Sequence, residues 1–178
     1  MNLIDIKSPA DLKGLSISEL TDLTAQARQA LMTKVSEHGG HFGPPMGVAE
    51  MIMALHYVFN SPVDKIVYDV SHQSYVHKMV TGRALAFLDH DHYDDVTGYT
   101  DPTESEHDFF NIGHTSTSIS LASGLATARN LKGDSENIIA IIGDGSLSGG
   151  EAFEGLDYAA TLDSNMIIIV NDNDQSIA

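Results

Sequence analysis

The sequence contains no cysteine and few basic residues. Its 178 residues include 9 lysines and arginines against 25 aspartates and glutamates, for a net charge of −16. The absence of cysteine excludes a disulfide framework and a thiolate metal site. The shortage of positive charge argues against nucleic acid as a partner, because phosphate backbones are neutralised by lysine and arginine.

Long apolar segments are also absent. The strand-like apolar runs are about five residues long, far short of the roughly 20 that a membrane helix needs. Residues 1–6 lack the basic start and long apolar stretch of a signal peptide. We therefore expect no membrane contact and a cytoplasmic location. A hydrophobic content of 42% supports one cored domain over residues 1–178.

The hydrophobic pattern predicts an α/β fold. Apolar strands are expected at 65–70, 138–142 and 166–170, and helices at 116–131 and 149–162. Near-continuous apolar strands are typical of a parallel sheet with helices on both faces, which makes three layers. Further helices are predicted after the capping-box sequence Ser16–Glu19, ending at Gly39–Gly40, and at 48–59.

Two short motifs follow consecutive predicted strands. Asp144 lies within Gly143–Gly145 after one strand, and Asn173 lies within Asn171–Asn173 after the next. Either motif alone is compatible with an ordinary turn. Together they place a carboxylate and an amide oxygen at neighbouring strand ends, a ligand type that Mg²⁺ uses together with substrate phosphates. The pair predicts a metal–diphosphate site.

The end of the chain directly after the second motif predicts an incomplete fold. In open α/β sheets, ligands bind at the carboxyl ends of the strands, and the chain normally turns back to cover the sheet. We expect a fragment, a split subunit or a truncated product.

Other polar segments are candidates for binding or catalysis. Gly113–Ser118 precedes a predicted helix, and its hydroxyl and N–H groups suit phosphate oxygens. Ordinary N-capping is the commoner explanation for an isolated instance, and His114 beside Gly113 strengthens the binding interpretation. His41 and His72 lie at the ends of elements, where histidines are usually solvated but can also donate hydrogen bonds or transfer protons. Asp89–His92, with His107, forms either a transition-metal patch or, more simply, a solvated acidic loop.

These motifs together resemble the 1-deoxy-D-xylulose-5-phosphate synthase family of transketolase-like, thiamine-diphosphate-dependent enzymes. The resemblance covers nearly the whole chain and implies a diphosphate-binding fold. The matching segments are Gly39–His41, Ala54–Phe59, Asp69–Gln73, His77–Arg83, Glu104–Asp108, Gly113–Ser120, Gly143–Gly145 and Asn171–Asn173.

The resemblance implies a role for each candidate residue. Asp144, the Asn173 side chain and the Gln175 carbonyl would bind Mg²⁺. Contacts to thiamine diphosphate would come from His72, Gly113, His114, Thr115, Gly145, Ser146 and Asn173. His41, together with His72, would act at the reacting carbon.

The family condenses pyruvate with glyceraldehyde 3-phosphate and releases carbon dioxide, in the synthesis of isoprenoid precursors and thiamine. The resemblance implies a homodimer and the need for further domains or a complementary subunit, because the glutamate that activates the cofactor lies in a second domain. Two alternatives remain: a transketolase-like subunit with another donor or acceptor, and a non-catalytic module that binds metal and diphosphate.

Three segments depart from the family pattern. Ser71 stands where a glycine usually precedes the His-Gln pair. Residues 43–47 contain two prolines that restrict the backbone, and residues 94–103 lack the usual basic side chains.

Overall fold

The computed structural model describes residues 1–172, which divide into two compact units. The first, called the helical unit, comprises residues 1–61, 72–99 and 103–105. The second, called the sheet unit, comprises residues 62–71, 100–102 and 106–172.

The longest element of the helical unit is helix α1, Ile17–His38. It begins at the predicted capping box, where the Glu19 N–H donates to Ser16 Oγ at 3.3 Å and the Ser16 N–H donates to the Glu19 carboxylate at 2.8 Å. These bonds satisfy N–H groups that have no partner within the helix. Gly39 ends the helix with a φ of 88°, a left-handed conformation that suits glycine. The prediction for this helix is confirmed.

Shorter elements complete the helical unit. Its other helices are α2 (Gly43–Gly47), α3 (Ala49–Val58), α4 (Tyr75–Lys78) and α5 (Leu85–Leu88), with 3₁₀ turns at Leu3–Asp5, Pro9–Leu12 and His90–Asp95. Helix α3 confirms the element predicted at 48–59, whereas α4 and α5 were not predicted. A wide turn joins α4 to α5 through Gly82, whose φ is 92° and whose missing Cβ would lie 2.6 Å from the Lys7 carbonyl oxygen. Because the kink divides the segment into two short helices, the sequence shows no continuous helical periodicity from which they could be predicted.

The sheet unit is built on three parallel strands in the order β1-β2-β3. They are β1 (Lys65–Tyr68), β2 (Ile138–Gly143) and β3 (Ile167–Asn171). Ile138 to Ile142 are all buried, so both faces of β2 are covered. The predicted α/β fold with a parallel sheet is confirmed.

Three helices flank the strands: α6 (Ser118–Lys132), α7 (Asp144–Leu147) and α8 (Gly150–Thr161). Helix α6 packs on β1, β2 and α8 through small buried residues such as Ala122 and Ala126, as its small-residue composition predicts. The core they share is apolar and consists of Val67, Ile112, Ile119, Ala122, Ala126, Ile138, Ala140, Ile142 and Ala152.

Across residues 1–172, the helices are too short or too polar to span a membrane.

Candidate functional site

The carboxyl ends of β2 and β3 lie side by side. Gly143, the last residue of β2, pairs in register with Asn171, the last residue of β3. Asp144 follows β2 directly and is partly buried at the start of α7. The predicted placement of the two motifs at neighbouring strand ends is therefore confirmed for their described parts. Asn173 and Gln175 lie outside the described residues, so their assignment as ligands stays a prediction.

The loop after β2 is packed tightly against the segment that precedes α6. Ser116 Oγ donates a 2.6 Å hydrogen bond to the Ser146 carbonyl oxygen. A Cβ on Gly149 would lie only 2.0 Å from the same hydroxyl oxygen. Glycine at 149 is thus required for this close approach, while Gly145 stays exposed and Ser146 is partly exposed. The contact joins two of the segments predicted to bind a diphosphate.

Asp69, which follows β1, anchors the start of α6. Its carboxylate is 1% exposed and accepts hydrogen bonds from the backbone N–H groups of Ser116 and Ser118, both at 2.9 Å. A buried carboxylate at this position satisfies N–H groups at a helix start and interacts favourably with the helix dipole. Sequence reasoning did not assign this role to Asp69, although the residue lies within a segment that carries the resemblance.

The anchored segment presents Gly113, His114 and Thr115 at the surface. His114 Nδ1 lies 2.8 Å from the Thr115 carbonyl oxygen. Because a carbonyl only accepts, Nδ1 carries a proton in this bond. Ser116 then turns the chain with a φ of 72°, which explains why α6 begins at Ser118 and not at the predicted 116.

Ser71 lies in a left-handed conformation, with a φ of 69°. That conformation favours glycine, which is the residue expected there from the family pattern. The Ser71 hydroxyl donates to the Ile112 carbonyl at 2.9 Å and accepts from the Thr100 N–H at 3.0 Å. These bonds tie Ser71 to Thr100 and to the residue before Gly113, and they offset part of the backbone strain at Ser71.

In the helical unit, His41 and His72 belong to a cluster of aromatic rings. The His41 ring lies 5.5 Å from His72, 5.1 Å from Tyr99 and 6.0 Å from Tyr75, measured between ring centroids. The Tyr75 hydroxyl oxygen lies 3.2 Å from the His41 backbone nitrogen and 3.3 Å from His41 Nδ1. The two predicted histidines are thus brought together, and two tyrosines join them that the sequence did not single out.

Burial favours the neutral form of the His41 imidazole. Partial burial lowers the pKa of His41 below its ordinary value, and a hydrogen bond with the Gly98 backbone opposes this shift. Desolvation disfavours the charged imidazolium. A neutral imidazole of this kind donates a hydrogen bond from one nitrogen and accepts at the other.

A partly buried ionic network holds the chain beside this cluster. Glu104 accepts from Lys78 Nζ at 2.5 Å and from an Arg83 guanidinium nitrogen at 3.0 Å, and Lys78 is fully buried. The same carboxylate accepts from the Thr97 N–H at 2.7 Å, and the Thr97 hydroxyl donates to the Tyr99 carbonyl at 2.8 Å. The network therefore fixes the segment that carries Gly98 and Tyr99.

The acidic loop does not form a metal centre. His92 pairs with Asp95 at 2.7 Å and His90 approaches Asp91 at 3.8 Å, all four side chains being exposed. Among the described residues, no group of three or more histidine or carboxylate side chains is arranged to hold a metal ion. The solvated-loop interpretation of Asp89–His92 therefore fits the structure better than the metal patch.

Comparison with known proteins gives a consistent result. Residues 3–178 match the N-terminal model of the 1-deoxy-D-xylulose-5-phosphate synthase family. Three relatives carry the name 1-deoxy-D-xylulose-5-phosphate synthase. The protein from Pelotomaculum thermopropionicum is 48% identical to this chain over 99% of the chain, that from Symbiobacterium thermophilum is 49% identical over 100% of the chain, and that from Caldanaerobacter subterraneus is 51% identical over 99% of the chain. The chain spans 28% of the length of each of these relatives. The chain therefore belongs to the 1-deoxy-D-xylulose-5-phosphate synthase family.

Proposed function

We propose that this chain is part of a thiamine-diphosphate-dependent transferase that condenses pyruvate with glyceraldehyde 3-phosphate and releases carbon dioxide. The family membership supports the reaction, and the activity is assigned to the full-length protein. The observation that carries the proposal is the position of Asp144 at the end of β2, beside the end of β3. By the resemblance to this family, that edge of the sheet would hold the metal and the diphosphate.

The residues at this edge fit a metal-bound diphosphate. Gly113 is exposed and has no atom within 4 Å of the place where a Cβ would stand, so its backbone is open to a ligand. Gly145 is also exposed. Asp144 supplies a carboxylate oxygen, the ligand type that suits Mg²⁺. A divalent cation would also offset the repulsion between a diphosphate and a chain of net charge −16.

Each candidate residue then has a defined task. Asp144 would hold Mg²⁺, with Asn173 and the Gln175 carbonyl as further ligands. Gly113, His114, Thr115, Gly145, Ser146 and Asn173 would contact the cofactor. The His114 Nδ1 proton is committed to the Thr115 carbonyl, which leaves Nε2 of the neutral ring as a hydrogen-bond acceptor.

Two histidines are assigned to the reaction itself. When bound, thiamine diphosphate supplies the electron sink that allows the carbon–carbon bond of a 2-oxo acid to break. His41 and His72 would hold the reacting groups and donate hydrogen bonds to oxygen atoms that gain negative charge. Burial lowers the pKa of His41 and so favours the neutral imidazole, which still donates from its one protonated nitrogen.

The proposal is tested with the full-length protein. Carbon dioxide release is measured with pyruvate, glyceraldehyde 3-phosphate, thiamine diphosphate and Mg²⁺. Asp144→Asn should weaken Mg²⁺-dependent cofactor binding in calorimetry, whereas Asp157→Asn, an equal charge change at an exposed position of α8, should not. Unchanged affinity in Asp144→Asn would contradict the ligand assignment.

The same assay separates the alternatives. Turnover with a different donor or acceptor would identify a transketolase-like enzyme. Cofactor binding by folded protein with no turnover would identify a non-catalytic module. We further propose a cytoplasmic homodimer that supplies precursors of isoprenoids and thiamine; ultracentrifugation of the full-length protein checks its dimeric state.

A further inference from the structure

We propose that Tyr75 is a positioning residue that holds His41 in the tautomer with its proton on Nε2. Both residues belong to the helical unit. Its consequence for catalysis rests on the proposed role of His41 at the reacting group. Tyr75 lies outside the residues so far assigned to the cofactor or the substrates.

The hydrogen bonds of the Tyr75 hydroxyl define the arrangement. The residue is buried, with 4% of its surface exposed. In residues 1–172, its hydroxyl oxygen has two polar contacts, the His41 backbone nitrogen at 3.2 Å and His41 Nδ1 at 3.3 Å. The backbone N–H can only donate, so it gives its hydrogen to the phenol oxygen. The phenol hydrogen then has His41 Nδ1 as its acceptor.

The other tautomer leaves this hydrogen without an acceptor. If His41 Nδ1 carried a proton, two hydrogens would point at the phenol oxygen, or the Nδ1 proton would turn to the neighbouring Gly98 backbone. In either case the phenol of Tyr75 would be a buried donor with no described acceptor, which is costly. Burial also raises the pKa of Tyr75, which keeps the phenol protonated and able to donate.

Two glycines make room for this contact. Gly40 has a φ of 121°, and a Cβ there would lie 2.8 Å from the Tyr75 hydroxyl oxygen. A Cβ on Gly98 would lie 3.4 Å from the same oxygen and 3.4 Å from His41 Cε1. A side chain at Gly40 would therefore displace the hydroxyl, and one at Gly98 would crowd it. Glycine at both positions therefore leaves the space in which the phenol contacts His41.

The tautomer determines what His41 can do. With Nδ1 accepting from Tyr75, the ring's own proton is on Nε2, so a neutral His41 is a hydrogen-bond donor at Nε2. It is then suited to stabilise negative charge that develops on an oxygen, and not to remove a proton as a base. Tyr75 would thus select between two chemically different functions of the same side chain.

The test measures the tautomer directly. Full-length protein labelled with ¹⁵N-histidine is studied by nitrogen NMR, and the His41 signals are assigned by their loss in His41→Gln. We expect the shift of Nδ1 to be that of an unprotonated nitrogen and the shift of Nε2 to be that of a protonated one. In Tyr75→Phe, both shifts should move toward those of a mixture of tautomers.

A matched control removes a different hydroxyl from the same cluster. Tyr99→Phe keeps the ring 5.1 Å from His41, and no hydrogen bond joins the Tyr99 hydroxyl to His41, so its His41 signals should match the wild type. Phenylalanine at 75 keeps the ring contact with Phe87, at 5.3 Å, and thermal unfolding verifies that the variant is folded. A protonated Nδ1 in the wild type, or unchanged shifts in folded Tyr75→Phe, would overturn the proposal.

Kinetics separate this inference from the proposed function. If the full-length protein catalyses the condensation, Tyr75→Phe should lower kcat several-fold while the KM for thiamine diphosphate changes little. If it does not, the nitrogen shifts still decide whether Tyr75 controls the tautomer. If the wild-type enzyme is active but its His41 carries the proton on Nδ1, the role of Tyr75 is refuted and the proposed function is not.

Discussion

Replacement of Asp69 by asparagine tests how the loop before α6 is held in place. The carboxylate is 1% exposed and accepts two backbone hydrogen bonds, from Ser116 and Ser118, each 2.9 Å long. Hydrogen bonds to charged groups contribute about 1.5–3 kcal/mol each. Asparagine keeps one acceptor oxygen but turns an NH₂ group toward the second N–H. We therefore expect the free energy of unfolding to fall by about 3 kcal/mol.

The measurement combines global stability with local protection. Urea unfolding of wild type and Asp69→Asn gives the change in free energy, and hydrogen exchange reports the Ser116 and Ser118 amides. Asp157→Asn removes the same charge from an exposed position of α8 and should change stability by less than about 0.5 kcal/mol. If Asp69→Asn matches this control in stability and in amide protection, then the anchoring role of Asp69 is wrong.

Three further changes test other parts of the structure. Gly149→Ala should destabilise the protein by about 1–3 kcal/mol, because its Cβ would meet a serine hydroxyl at 2.0 Å; Gly150→Ala, with nothing within 4 Å, is the control, and equal urea midpoints would contradict the prediction. Ser71→Ala and Ser71→Gly both lose the hydroxyl bonds to Ile112 and Thr100, but only alanine keeps the cost of a Cβ at a left-handed φ. Ser71→Ala should therefore be less stable than Ser71→Gly by about 1 kcal/mol; equal stability in urea would show that the backbone is unstrained. Because the folded pKa of His41 lies below 6.5, the unfolded chain binds more protons below that value, and stability should fall as the pH drops. His41→Gln should flatten the dependence of the urea midpoint on pH below 6.5; an unchanged slope would argue against the lowered pKa.

Elements with strong local signals were predictable from the sequence. Helix α1 carries its own capping box and terminal glycine, and the apolar strands β2 and β3 are bounded by motifs that end them. Helix α6 begins two residues later than the sequence predicts, because the left-handed φ of Ser116 depends on its hydrogen bond to Asp69. A contact 47 residues away in the chain leaves no local pattern.

The candidate site was predictable only in part, for a similar reason. Asp144 and His41 stand in motifs that can be read along the chain. Tyr75 lies 34 residues from His41, and its relevance comes from one hydroxyl whose position depends on tertiary packing. The left-handed φ of Ser71 likewise becomes evident only in three dimensions, although the departure from glycine at this position was visible in the sequence.

The contacts that hold the loop before α6 also bear on the order of folding. Asp69 and Ser116 are 47 residues apart, and Ser116 and Ser146 are 30 apart, so each contact closes a long loop at a cost in chain entropy. Such contacts form after local helices, and partial opening of a protein exposes its least stable segments first. We expect this loop to be the last part of the sheet unit to assemble and the first to open. A ligand that binds the loop only in its closed conformation would therefore also make opening of the loop less frequent.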